Sequence, residues 1–170
     1  KKSDAAAWTK YYPWNPELSE VVKTESGLQY VVLQSGDAAG EPPVGGQLVV
    51  VHYEGRIADT GELFDSSYER GDPEVFPSNA LISGWVEALA MMKPGDRWML
   101  YIPSELGYGE EGTPGGPIPP NTALQFEVEL LDIEGQKKIT QEYIDAFDKA
   151  LDAWEQNKDI INQMKDGAEE

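Results

Sequence analysis

The sequence of 170 residues is 40% hydrophobic and carries 31 acidic against 13 basic side chains, a formal net charge of −18. It contains no cysteine, which excludes disulfides, thiolate metal sites and cysteine nucleophiles. So negative a chain is repelled by nucleic acid and by anionic lipid surfaces, and it lacks the run of about 18 apolar residues that a membrane span requires.

Residues 1–26 form a predicted N-terminal extension. The sequence begins with Lys1 rather than Met, so we expect a processed form from a secretory, periplasmic or organelle-lumen compartment rather than a cytoplasmic protein. Two prolines and the lack of a helical period predict no long helix here. Its aromatic side chains, which we expect to dock on the main domain, are Trp8, Tyr11, Tyr12 and Trp14.

Residues 27–135 form the predicted main domain, which is mostly short strands. The candidate strands are Leu28–Leu33, Leu48–Tyr53, Arg97–Ile102 and Ala123–Leu130. In the last of these, Leu124, Phe126, Val128 and Leu130 alternate with Gln125, Glu127 and Glu129. A period of two predicts an antiparallel sheet with one covered face and one solvent-exposed face.

One short helix interrupts the strands. Leu81, Trp85, Leu89 and Met92 recur at steps of three or four, with Ser83 as the expected N-cap and Pro94-Gly95 as the end. The predicted fold class is therefore α+β, an antiparallel twisted sheet wrapped around this helix. Residues 103–120 form a long loop rich in Gly and Pro, and loops of this length are usually functional.

Residues 136–170 form a predicted C-terminal helical extension, whose apolar spacing fits an amphipathic helix of about 25 residues. Its apolar stripe contains Ile144, Phe147, Leu151, Trp154 and Ile161, and Lys158 interrupts the stripe. This stripe predicts either packing back on the chain's own domain, which the interruption favours, or a dimer contact.

Familiar catalytic constellations are missing. The single histidine, His52, lies in a Val-rich strand without a metal partner or a nucleophile nearby, so we interpret it as a core or sheet-face residue. Ser66-Ser67 lacks a histidine base. We predict neither a metal site nor a cofactor. The acidic surplus either keeps the protein soluble or attracts basic, incompletely folded polypeptides.

Four segments, in order along the chain, resemble FKBP-type prolyl isomerases over about residues 26–134. They read VVVHYEGRIADTGELFDSSYERG (49–71), ISGWVEALAMMKPGDRWMLYIP (82–103), ELGYG (105–109) and IPPNTALQFEVELLDI (118–133). The pattern is most similar to the bacterial periplasmic and macrophage-infectivity-potentiator branch. The resemblance implies acceleration of X-Pro bond rotation in client proteins, and the alternative is an FKBP-like chaperone or binding module with little catalysis.

The resemblance also implies the site. By position, the catalytic set corresponds to Tyr53, Asp65, Ile82 (through its backbone N–H) and Tyr108. The substrate and inhibitor pocket corresponds to Phe64, Arg70, Phe76, Leu81, Trp85, Ile118 and Phe126. Proline-containing polypeptides and macrolides of the tacrolimus and rapamycin type are the implied ligands. The chain departs from the family pattern at Glu74, at Thr113 and in the length of the loop Gly112–Pro117.

Overall fold

The chain forms two compact units, residues 1–136 and 137–170, in a computed structural model. The structure describes residues 1–136 and 141–168, and the side chains of the second range over 144–158. The finer subdivision into residues 1–26, 27–135 and 136–170 stays a prediction.

The first unit is built on one antiparallel sheet of seven strands. The strands are β1 (Val22–Lys23), β2 (Gln29–Gln34), β3 (Leu48–Ile57), β4 (Leu63–Ser66), β5 (Glu74–Pro77), β6 (Arg97–Ile102) and β7 (Leu124–Ile133). Six of them follow the order β1-β2-β6-β7-β3-β4, and β5 also pairs with β3. The predicted α+β class is confirmed, and β3 and β7 are longer than expected, at ten residues each.

Helix α3 (Ser83–Leu89) packs on one face of this sheet through Trp85, Ala88 and Leu89. Gly84 permits the close approach, because a Cβ atom there would lie 2.8 Å from a side-chain carbon of Ile102 on β6. The predicted N-cap at Ser83 is wrong. Ser83 is already the first helical residue, and the helix has no side-chain cap, because the preceding residue is an isoleucine.

The N-terminal segment covers the other face of the sheet. Helix α1 (Ala5–Tyr11) begins after Asp4, whose side chain accepts a hydrogen bond from the N–H of Ala7 at 3.1 Å. Trp8 and Tyr11 are buried against Val31 and Met99. The expected docking of the aromatic side chains is confirmed, and the helix is short, as two downstream prolines require.

The expected solvent-exposed face of β7 is therefore wrong. Gln125 and Glu127 are fully buried, and Glu129 is 6% exposed. Gln125 Nε2 donates to the backbone oxygen of Tyr11 at 3.0 Å, and Trp8 Nε1 donates to Glu127 at 3.0 Å. Alternation along a strand reports polarity, and a polar face becomes buried when another segment supplies its hydrogen-bond partners.

The second unit contains helix α4 (Gln141–Ala168), so the predicted C-terminal helix is confirmed. Phe147, Leu151 and Trp154 are 59%, 42% and 58% exposed. Lys158 Nζ lies 5.3 Å from the centroid of the Trp154 ring. The side chain of Ile161 lies outside the described residues. Over the described ranges, no helix has the length and apolarity needed to cross a membrane.

Two short elements complete the connections. The one-turn helix α2 (Ser67–Arg70) follows β4, and its end at Gly71 has a φ of 87°, a conformation that glycine adopts without strain. A 3₁₀ turn over Ser104–Leu106 opens the long loop between β6 and β7. Both elements stand beside the site described next.

Candidate active site

A cavity of about 380 Å³ lies in the first unit, within the range typical of small-ligand sites. Its lining is mostly aromatic and aliphatic, with a carboxylate and two phenols. The lining residues are Tyr53, Phe64, Asp65, Phe76, Ala80, Leu81, Ile82, Trp85, Tyr108 and Phe126. They come from β3, β4, β5, α3 and its lead-in, the long loop and β7, so the curved sheet and the helix together gather them.

Trp85 organises the aromatic wall. It is 4% exposed, and its ring meets those of Tyr53 and Phe126 nearly at right angles, with centroids 5.1 and 5.3 Å apart. Phe76 meets it in the same way at 6.1 Å, and Phe64 packs edge-on against Phe126 at 5.5 Å. Edge-to-face contacts are the favoured geometry for aromatic pairs, so the wall is held by packing on every side.

A polar group stands at the rim of the cavity. The hydroxyl of Tyr53 donates to Asp65 Oδ2 at 2.5 Å. Arg70 Nη2 donates to the same hydroxyl at 3.1 Å, and Arg70 Nη1 pairs with Asp65 Oδ1. Arg70 Nε donates to Glu74 Oε1 at 3.2 Å. Helix α2 makes this possible, because its single turn carries Arg70 back over the end of β4.

Both phenols of the site remain O–H donors at neutral pH. Burial, assisted by the Asp65 carboxylate, raises the pKa of Tyr53 to about 12. Burial also raises the pKa of Tyr108, and the negative charge of Asp65 adds to that effect. Hydrogen bonding to Asp65 raises the pKa of Arg70, so its guanidinium stays charged. The rim therefore presents two neutral hydroxyls beside fixed charges.

A buried serine holds the strand behind Tyr53. Ser67 Oγ accepts from the N–H of Tyr53 at 2.7 Å and lies 2.8 Å from His52 Nδ1, and it is fully buried. His52 stacks on Tyr68 with ring centroids 4.6 Å apart, and burial lowers the pKa of His52. The interpretation of His52 as a buried sheet residue is confirmed. The expectation that Ser67 has no histidine beside it is wrong, because His52 Nδ1 lies within hydrogen-bond distance, but both side chains are buried and neither lines the cavity.

The chain matches the family model described as FKBP-type peptidyl-prolyl cis-trans isomerase over residues 39–131. The chain belongs to the FKBP family. It is 49% identical over 129 residues to the FKBP-type 22 kDa peptidyl-prolyl cis-trans isomerase of Escherichia coli, covering 76% of this chain and 61% of that protein. It is 51% identical over 114 residues to the peptidyl-prolyl cis-trans isomerase Mip of Coxiella burnetii, covering 66% and 48%.

Among solved FKBP structures, FkpA from Escherichia coli superposes with a TM-score of 0.65 at 42% identity. That match covers 75% of this chain and 58% of FkpA. The chain thus spans about half to three-fifths of the length of these relatives. The resemblance inferred from the sequence, including its likeness to the Mip branch, is confirmed.

Nine of the eleven residues that the FKBP resemblance assigned to the site line the cavity. The other two, Arg70 and Ile118, are not among the lining residues. Arg70 reaches the rim by way of Tyr53 and Asp65, and Ile118 is buried in the main core. Ala80 lines the cavity and was missed, because a small apolar residue in a loop carries no chemical signal.

Two of the residues that depart from the FKBP pattern, Glu74 and Thr113, make specific contacts in the structure. Glu74 pairs with Arg70. Thr113 closes the long loop, because its N–H donates to the oxygen of Ile118 at 2.9 Å and its Oγ1 accepts from the N–H of Ile118 at 2.9 Å. In the part of the chain that the structure describes, no cluster of three or more histidine or acidic side chains has the arrangement of a metal site.

Proposed function

We propose that this chain is a peptidyl-prolyl cis–trans isomerase that accelerates rotation about X-Pro bonds in client polypeptides. The observation that carries the proposal is the apolar cavity with Trp85 against its wall, in a chain of the FKBP family. A volume of about 380 Å³ accommodates a pyrrolidine ring and part of the flanking backbone. Neither a nucleophile nor a cofactor is required, since no covalent bond breaks.

The chemistry follows from the amide bond. Resonance gives X-Pro rotation a barrier of roughly 20 kcal/mol, so the bond relaxes over tens of seconds without help. The twisted transition state loses double-bond character and charge separation. A dry aromatic cavity therefore disfavours the planar, more polar ground state, and this differential binding accelerates the step. A barrier lowered by about 4 kcal/mol corresponds to roughly a thousandfold.

Each part of the site has a proposed role. The apolar wall around the prolyl ring is formed by Phe64, Phe76, Trp85 and Phe126. The N–H of Ile82 and the hydroxyl of Tyr108 bind the carbonyl groups of the flanking chain. The N–H groups at the start of a helix have no partner within it, which suits Ile82 at the head of α3 to this role. Asp65 orients Tyr53 and Arg70.

The test is a protease-coupled or NMR exchange assay on X-Pro tetrapeptides. Tyr108→Phe removes one hydroxyl, and Asp65→Asn removes the charge that holds Tyr53 and Arg70. We expect kcat/KM to fall about tenfold in each variant, equivalent to roughly 1.4 kcal/mol. Tyr101→Phe is the matched control, because Tyr101 stacks on Trp14 and does not line the cavity. Unchanged kcat/KM in both site variants would remove the polar groups from the mechanism.

We also propose proline-containing polypeptides as the natural clients and macrolides of the tacrolimus and rapamycin type as inhibitors. The aromatic lining supports both. Inhibition is tested by measuring kcat/KM at a saturating macrolide concentration. An unchanged kcat/KM would contradict the proposal that macrolides inhibit the protein. Likeness to the Mip branch supports a location outside the cytoplasm, and fractionation of cells that express the full-length protein tests it.

A second candidate function is client binding without catalysis, or self-association, through α4. The exposed Phe147, Leu151 and Trp154 favour it. Truncation after Gly135 is expected to lower either aggregation suppression of a proline-free client or the molecular mass per particle. If both are unchanged, α4 has neither role.

A further inference from the structure

Glu74 lies on the same face of β5 as Phe76. Burial alternates along the strand, so Glu74 and Phe76 are half-buried while Val75 and Pro77 are exposed. Phe76 lines the cavity. Side chains two residues apart on a strand point to the same side of the sheet. The carboxylate of Glu74 therefore stands at the rim, next to the cavity wall.

Two carboxylates at this rim share one cation. Arg70 bonds through Nη1 to Asp65, through Nη2 to the hydroxyl of Tyr53, and through Nε to Glu74. A second contact joins Nη2 to Glu74 Oε1 at 3.1 Å. One positive and two negative charges leave an excess of one negative charge. The carboxylate side chains are 39% and 38% exposed, so a bound peptide can approach them.

Residues 27–135 contain few basic side chains that could offset this excess. The main domain contains three other basic residues, Arg56, Lys93 and Arg97. Arg56 pairs with Glu54, and Arg97 pairs with Asp4. Asp65 and Tyr108 both line the cavity, and the charge of Asp65 adds to burial in raising the pKa of Tyr108. The rim is therefore anionic where a substrate's flanking residues must pass.

We propose that Glu74 is a specificity-determining residue that makes the site favour X-Pro substrates with a lysine or arginine side chain next to the proline over substrates with an acidic one. The inference rests on the proposed isomerase function. The long aliphatic stem of either basic side chain can lie on the ring of Phe76 while its charged end meets Glu74. In the alternative, Glu74 only holds Arg70 in place, and its loss affects every substrate alike.

The experiment uses two peptide series, with lysine, norleucine or glutamate placed either before or after the proline. We measure kcat/KM by NMR exchange, and Kd by titration of the same peptides, at low salt and at about 0.5 M salt, where charges are strongly screened. The variants are Glu74→Gln and the control Glu41→Gln. The control removes the same charge from an exposed loop residue that does not line the cavity.

In at least one series we expect the wild-type chain to prefer lysine over glutamate about tenfold at low salt, since the two peptides differ by two charges at a half-exposed rim. Glu74→Gln is expected to reduce this ratio to about threefold, and high salt is expected to reduce it further. Glu41→Gln is expected to keep the wild-type ratio.

Three results would overturn the inference. These are equal affinities for the lysine and glutamate peptides in both series, an equal loss for all peptides in Glu74→Gln, and a fall in the ratio in Glu41→Gln that matches the one in Glu74→Gln. Failure to accelerate the norleucine peptides would instead contradict the proposed isomerase function. The Kd comparison still decides the role of Glu74 in that case.

Discussion

The two faces of β7 show two ways of burying a strand. Toward α3, the strand presents Leu124, Phe126, Val128 and Leu130, which form the core and part of the cavity wall. Toward α1, it presents Gln125, Glu127 and Glu129, which are equally buried but polar. The apolar face is held by non-directional packing. The polar face is held by hydrogen bonds that Glu127 accepts and that Gln125 donates.

This difference changes what each face tolerates. An apolar face can border an open cavity, because missing contacts cost only lost dispersion and transfer energy. Glu127 has no such freedom. It accepts from the N–H of Asp4 at 3.0 Å, from Trp8 Nε1 at 3.0 Å and from the hydroxyl of Tyr68 at 3.2 Å. A buried carboxylate stays in place only while such partners are present.

The largest expected effect is on the apolar face. Trp85→Ala removes a buried ring that packs against three other aromatic rings, and we expect a loss of about 3–5 kcal/mol in the free energy of unfolding, together with loss of peptide binding. Urea denaturation measures the stability change. Trp154→Ala, the same change at an exposed position, is expected to cost less than about 0.5 kcal/mol. Similar losses in both variants would contradict the packing argument.

The next effect is on the polar face. Glu127→Ala leaves buried donors without an acceptor, and we expect a loss of about 3 kcal/mol in the free energy of unfolding. Trp8→Phe keeps most of the ring and removes one N–H donor, so about 1 kcal/mol is expected. If Glu127→Ala is no more harmful than Trp8→Phe, the hydrogen bonds do not hold this face.

The smallest effect is on the pH dependence of stability. Burial raises the pKa of Glu127, so the folded state binds its proton more readily than the unfolded state. The wild-type chain is therefore expected to gain stability relative to Glu127→Gln as the pH falls from 7 towards the usual carboxyl range near ~4.

Asp4 is expected to change the pH dependence of stability in the opposite direction. Its hydrogen bond with Arg97 lowers its pKa, so the stability it contributes is present above the usual aspartate range and is lost at lower pH. Relative to Asp4→Asn, the wild-type chain should lose stability as the pH falls below ~4. Urea titrations of the three proteins at several pH values measure both slopes, and slopes of equal sign would contradict this assignment.

Much of the sheet could be predicted, because alternation and β-branched residues mark β3, β6 and β7 directly. The covered polar face of β7 could not. Nothing in the pattern of Gln125, Glu127 and Glu129 indicates that residues more than a hundred positions earlier supply the partners. Similarly, Ser83 looks like an N-cap by residue type, but the chain enters α3 one residue earlier than a cap at Ser83 requires.

Much of the cavity lining was identified by resemblance rather than by spacing. Phe64, Phe76 and Phe126 have no common period, and only the paired strands bring them together. The contact of Arg70 with Glu74 was not predicted from the sequence. It depends on the one-turn helix α2 and on the side-chain direction of β5, and neither had been predicted.

Phe126 and Glu127 are consecutive residues of β7, one beside the cavity and the other beneath α1. A change in packing around Phe126 therefore occurs one peptide bond from the hydrogen bonds of Glu127 on the opposite surface. We therefore expect the indole N–H resonance of Trp8, which is hydrogen-bonded to Glu127, to shift when a ligand fills the cavity beside Phe126. Lys1 pairs with Glu129 on the same strand, so we expect a tag or fusion attached near Lys1 to disturb β7, the strand that also carries Phe126.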